Sequence, residues 1–243
     1  MLICLYTDFG AADIYVGQVK AILHEYAPQA AVLDLTHQAP AFNVKASAHL
    51  LAALTHSMPR QCAVLAVVDP GVGGEREPVI VRAGDRWIIG PDNGLISVLA
   101  ARAQPVEVFS ITWRPARLSA SFHGRDLFAP FAGMLATGTL NTGQLEAKPA
   151  LDVQFGGDDL SEVIYVDHYG NAMTGMRAAD VARDSRIVVN GRGIGHARVF
   201  SALPHGTAFW YENSLGLVEI AANAANASES LKIEIGSEVR LGA

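Results

Sequence analysis

Residues 67–76, VVDPGVGGER, constrain the fold of this chain more than any other stretch, because they set an acid, turn glycines and an arginine directly behind a buried strand. Residues 62–68 (CAVLAVV) have the length and β-branched content of a strand covered on both faces. Asp69-Pro70-Gly71 ends it, since proline cannot continue a central strand and glycine permits a sharp turn. Asp69 therefore stands at the carboxyl end of a core strand, where open α/β sheets bind ligands. Arg76 folds back over it if residues 71–74 form a tight loop. The same residues also suit a strand-ending turn with one surface salt bridge.

The flanking sequence repeats the arrangement. Residues 2–6 read as a strand ended by Thr7-Asp8-Phe9-Gly10, so Asp8 takes the same kind of place as Asp69. A helix follows, with Tyr15 or Val16, Val19, Leu23 and Tyr26 at three- and four-residue spacing, Asp13 as its cap and Pro28 as its stop. Residues 31–35 form a second strand and residues 43–56 a second helix with Val44, Ala48, Leu51 and Leu54 on one face. Residues 78–82 and 86–89 pair as a hairpin turning at Gly84-Asp85. A helix over 95–103, a strand over 106–111 and a helix running to about residue 137, capped by Asp126, complete the pattern. Alternating strands and helices imply an α/β domain with a mostly parallel central sheet.

The pattern changes in the polar stretch 139–155, and the domains are expected at 1–145 and 146–243. Short β-rich runs at 163–166, 186–189, 208–211, 217–220, 231–235 and 238–241, divided by Gly and Asn turns, describe a smaller all-β sandwich or barrel.

Composition removes several classes of function. Half of the 243 residues are hydrophobic, and a net charge of −6 with no basic stripe argues against nucleic acid or an anionic membrane as partner. The start MLICLYTDFG lacks the basic region and cleavage site of a signal peptide, and no apolar run nears the roughly 18–20 residues that span a bilayer. Cys4 and Cys62 fall in core strands and read as buried thiols in a reducing cytoplasm.

The glycine loop does not suit phosphate: GVGGER lacks the Lys-Ser/Thr ending of a Walker loop, and TDFGAAD is not GxGxxG. A nucleoside without phosphate suits the acids better, because a carboxylate at a strand end accepts hydrogen bonds from both ribose hydroxyls. Asp8 and Asp69 are the candidates, and two acids also suit a cationic ligand; Asp8 equally fits a turn cap. The eight histidines show no HxxxH or HxH pair, so no metal site is expected. His123 lies in a loop entering a helix, where a side chain can face a cleft. In the second half, Tyr169-Gly170-Asn171 and Tyr211-Glu212-Asn213-Ser214 fit either turn chemistry or an aromatic, amide and hydroxyl setting for a flat base, with Glu219 near an exocyclic amine.

Six segments in register, TDFGAADIYVGQVK, VVDPGVGGER, PDNG, SFHGRDLFAP, HYGNAMTG and ENSLGLVEIAANAANA, resemble the S-adenosyl-L-methionine hydrolases (SAM hydroxide adenosyltransferases), relatives of fluorinase and chlorinase. The resemblance spans nearly the whole chain and implies adenosine-forming hydrolysis of S-adenosyl-L-methionine (SAM) without a cofactor. It also implies a homotrimer with active sites between the first domain of one subunit and the second domain of its neighbour. The implied catalytic set is Asp69, Arg76 and His123. Asp8 and Asp69 would hold the ribose side, and Asn171, Ser214, Glu219 and the backbone near Ala222 the adenosine, with Tyr169 and Tyr211 as walls. Met173-Thr174-Gly175 departs from the usual ending of the HYGN motif. Halogenase members carry a long insertion after the strand that here ends in Asp69, so halide chemistry is the lesser reading; a non-catalytic adenosine-binding protein is the other alternative.

Overall fold

The structure is a computed structural model and describes residues 1–242. It divides into two compact units, residues 1–52 with 58–157, and residues 53–57 with the chain from Asp158 onward.

The first unit is built on a seven-stranded sheet of order β2-β1-β3-β5-β4-β6-β7. Its strands are β1 (Leu2–Thr7), β2 (Val32–Thr36), β3 (Cys62–Val67), β4 (Pro78–Ala83), β5 (Arg86–Pro91), β6 (Val106–Ile111) and β7 (Leu145–Lys148). β1 lies parallel between β2 and β3, and β3 is parallel to β5. β4 is antiparallel to β5 and β6, and β7 to β6, so only β4 and β7 oppose the common direction. Every residue of β3 is buried, as its unbroken apolar run requires of a strand covered on both faces.

Helices α1 (Ile14–Tyr26) and α4 (Ala129–Thr137) cover one face. They pack Val19, Leu23, Phe131 and Ala132 against Ile3, Leu5, Leu65 and Val67. Tyr6, alternating to the opposite face, donates its hydroxyl to the Ser47 carbonyl of α2 (Val44–His56). Asp13 takes the N-cap position of α1 in extended conformation, but its side chain makes no capping bond. The helix expected over 95–103 is shorter, α3 (Ser97–Arg102). Asp126 does not cap α4. It lies in a π-helical turn, Gly124–Phe128, and its carboxylate accepts from the Ser119 N–H at 2.8 Å and from Arg125.

The second unit holds a four-stranded sheet, β12-β13-β9-β8, and a three-stranded sheet, β11-β10-β14. These are β8 (Leu160–Val166), β9 (Ala172–Arg177), β10 (Arg186–Val189), β11 (Arg192–Ile194), β12 (Ala208–Glu212), β13 (Leu217–Ala222) and β14 (Val239–Gly242), all antiparallel to their neighbours. Val163, Ile187, Trp210, Val218 and Val239 form its core. The strand expected over 231–235 is absent: Leu231 ends a helix, α5 (Ala227–Leu231), and residues 232–235 are coil and turn. Asn226 caps α5 by accepting from the Glu229 N–H, and Lys232 closes it with a left-handed φ of 55°. Among the described residues no helix is long and apolar enough to cross a membrane.

Candidate active site

The loop after β3 folds in two successive turns, Val72 N–H to the Asp69 carbonyl at 3.1 Å and Gly74 N–H to the Gly71 carbonyl at 3.0 Å. Gly73 is essential to this path. Its φ is +79°, and a Cβ there would lie 2.3 Å from the Ala120 carbonyl oxygen. The turns return Arg76 to Asp69, with Nε 3.2 Å from Oδ1 and 3.0 Å from Oδ2 and Nη2 also donating to Oδ2. The pair is buried, with side chains 10% and 4% exposed.

Arg76 Nη2 also lies 2.8 Å from His123 Nδ1. A guanidinium has donors only, so Nδ1 must accept and the proton of the neutral ring sits on Nε2. Burial, then the Arg76 charge, holds the His123 imidazole below its ordinary range, with Asp69 opposing. The guanidinium stands 5.5 Å over the Phe128 ring, which the π-helical turn carries.

Asp8, Asp69 and His123 line one cavity of about 260 Å³ with Phe9, Tyr15, Phe42 and Phe122. Phe9, Tyr15 and Phe122 pack edge to face or tilted at 5.5–6.1 Å. Burial lifts the Asp8 carboxyl above its usual range and the nearby Asp69 charge adds to this, while backbone N–H groups of Asp8 and Phe42 oppose it. Phe42 is 83% exposed and has a φ of 60°, a conformation rare for a bulky residue.

In the second unit Tyr169, Asn171, Tyr211, Ser214, Glu219 and Ala222 line a second cavity, of about 1010 Å³. Asp167 braces its β8–β9 turn, accepting from the Tyr169 and Asn171 N–H groups at 2.9 and 2.8 Å and from the Asn171 amide at 2.9 Å. Gly170 supplies the positive φ, 82°, that the turn needs. Glu219 is buried, and both its oxygens are engaged, one by the Tyr211 hydroxyl and one by the Asn213 amide at 2.8 Å. Burial, and then the Glu219 carboxylate, push the Tyr211 hydroxyl well up. Ala222 is buried at the end of β13.

Among the residues lining the second cavity, sequence reasoning did not single out Asp167 or Phe200. Asp167 acts by bracing a turn, which residue type alone does not distinguish from solvent exposure. Phe200, in a 3₁₀ turn, packs 5.0 Å from Phe209 and 5.4 Å from Tyr211, and no periodicity marks it.

Comparison with known proteins gives one consistent result. The family model for the SAM hydroxide adenosyltransferase N-terminal domain matches residues 3–145, and that for the C-terminal domain residues 161–240. The chain is 37% identical to the (R)-S-adenosyl-L-methionine hydrolase of Salinispora arenicola over 98% of this chain and 96% of that one. It is 37% identical to the enzyme of the same name from Thermus thermophilus over 97% of each. A solved structure of an uncharacterized conserved protein from Thermotoga maritima superposes with a TM-score of 0.89 at 30% identity, covering 100% of both chains.

Proposed function

We infer that this chain, which belongs to the SAM hydroxide adenosyltransferase family, is a hydrolase that cleaves SAM to adenosine and L-methionine. The relatives' name supports the R sulfonium epimer as the preferred substrate. The observation that carries the residue assignment is Arg76 holding Asp69 and His123 together beside a cavity that also takes Asp8.

The sulfonium already makes a neutral thioether the leaving group, so the barrier lies in presenting an oxygen nucleophile in line with ribose C5′. Water has a pKa of about 15.7 in bulk and must be positioned and relieved of a proton as it attacks. Asp69 is the acceptor for that proton. His123, its Nδ1 occupied by Arg76, turns an Nε2–H donor toward the water oxygen and orients it. Arg76 holds both groups in place. Positioning of this kind supplies roughly 7–11 kcal/mol in favourable cases, and a general base about 10²- to 10⁴-fold.

Asp8 takes the ribose hydroxyls, and with Asp69 it gives the cavity a negative field suited to the sulfonium. Asn171, Ser214 and the backbone at Ala222 take the adenine, with Tyr169 and Tyr211 as walls and Glu219 beneath them. The active enzyme is a homotrimer in which the second unit of one copy completes the cavity of the next. Two free buried thiols, Cys4 and Cys62, support a reducing cytoplasm as its place of work.

The test is incubation with (R)-SAM and chromatography of the products. Equal release of adenosine and methionine is expected. Stoichiometric adenosine uptake without methionine would leave a binding protein. Activity that survives in a verified monomer would refute the shared site.

A further inference from the structure

We propose that His37 is a positioning residue for the reaction, setting the backbone that carries Asp8; the proposal rests on the reading of Asp8 as the ribose acid. Thr7 Oγ1 accepts from the Phe9 N–H at 3.3 Å, so its own proton is free to point to His37 Nδ1, 2.8 Å away. The ring proton then sits on Nε2, which lies 3.2 Å from Asp34 Oδ1 in a close charge contact outside hydrogen-bond geometry, so that buried nitrogen has no hydrogen-bond partner. Asp34 Oδ2 in turn takes Lys20 Nζ at 2.6 Å. The Thr7–His37 hydrogen bond thus joins two buried side chains, Thr7 being the residue before Asp8, with the half-exposed Lys20–Asp34 pair beside the imidazole.

The main chain adds a second grip. The Gly10 N–H donates to the His37 carbonyl at 2.7 Å, and the Ala39 N–H to the Thr7 carbonyl at 3.1 Å. Asp8 is therefore flanked on both sides by residues tied to the 37–39 segment. That segment continues to Phe42, whose left-handed backbone brings its N–H to the Asp8 carboxylate. Acid, imidazole and hydroxyl in series can activate a nucleophile, but Thr7 is 1% exposed and its oxygen already receives an N–H, so the array braces.

The experiment compares three variants for steady-state SAM hydrolysis, adenosine binding by calorimetry and thermal unfolding. His37→Leu keeps volume and removes the acceptor, Thr7→Val removes the donor, and His37→Asn restores an acceptor near Nδ1. His37→Leu and Thr7→Val should each raise KM and the adenosine Kd about 10-fold with kcat changed less than about 3-fold, the mark of lost uniform binding. His37→Asn should recover most of the loss, and the double variant should be no worse than either single one. Should His37→Leu fail to fold, Thr7→Val and His37→Asn carry the comparison alone. Unchanged KM and Kd, or no difference between Asn and Leu at 37, overturns the proposal. Wild-type protein that binds adenosine but releases no methionine overturns the hydrolase reading instead, and leaves the Kd comparison standing.

Discussion

Arg76 grips both carboxylate oxygens of Asp69 and spends a further N–H on His123 Nδ1, so one guanidinium fixes the acid and the tautomer of the imidazole together. A lysine keeps the charge but not the planar fork. Arg76→Lys should lower kcat about 10- to 100-fold with a smaller change in KM, read by steady-state kinetics. Arg76→Met leaves a buried carboxylate unpaired and should cost about 3 kcal/mol or more in urea unfolding.

Asp69→Asn and His123→Ala remove the proposed proton acceptor and the proposed orienting donor. Each should reduce turnover about 10²-fold or more while adenosine still binds, because neither change touches the adenine contacts. Full turnover in both variants would remove them from the chemistry.

Two groups on the first cavity titrate toward one another, Asp8 raised by burial and the Asp69 charge, His123 lowered by burial and Arg76. Both work in their deprotonated forms, so activity should fall only as pH drops below the ordinary imidazole value of about 6.5. His123→Gln should make the acid limb shallower by one proton. The linkage sign for His123 is fixed as well. A folded imidazole below its unfolded value gives stability that is full above about pH 6.5 and declines as pH falls through the unfolded value toward the folded one. An acid limb above pH 6.5 would contradict the neutral ring.

Gly73 has a positive φ and its Cα faces the Ala120 carbonyl with no room for a methyl group. Gly73→Ala should destabilise the protein by about 2–3 kcal/mol and displace Arg76, giving both a lower urea midpoint and a lower kcat.

Glu219 satisfies the Tyr211 hydroxyl and the Asn213 amide in a buried setting. Glu219→Ala should weaken adenosine binding by about 10-fold and cost about 1–3 kcal/mol, since two buried polar groups lose their partner. Glu219→Gln retains an acceptor and should lose less.

What could be read before the structure depended on how local each signal was. Asp69 and Arg76 are seven residues apart on one turn, and the apolar run before them marks the strand, so their meeting follows from spacing and turn chemistry. His123 enters the same cluster from 47 residues away, and family resemblance rather than periodicity brought it there. His37 went unnoticed because Thr7 is 30 residues distant and THQAP reads only as the end of a strand. β9 was passed over because its sequence, AMTGMR, has few β-branched residues and contains Gly175. That glycine lets the strand approach β8, since a Cβ would lie 2.6 Å from the Leu160 Cβ. The LKIEI run alternates like a strand, but Leu231 closes the helix that Asn226 caps and Lys232 turns left-handed after it, so the run does not enter a ladder.

β1 and β3 run side by side with Thr7 opposite Val67, and each strand releases its acid just past that rung. The strands that carry Asp8 and Asp69 are therefore spaced by the ladder itself, roughly 4.8 Å between neighbours, rather than by the aromatic lining around them. Randomising the aromatic wall would leave that footing where it is. A lineage could trade one sulfonium or nucleoside for another by rewriting the lining, while the twin anionic posts stay anchored in the main chain of two adjacent strands.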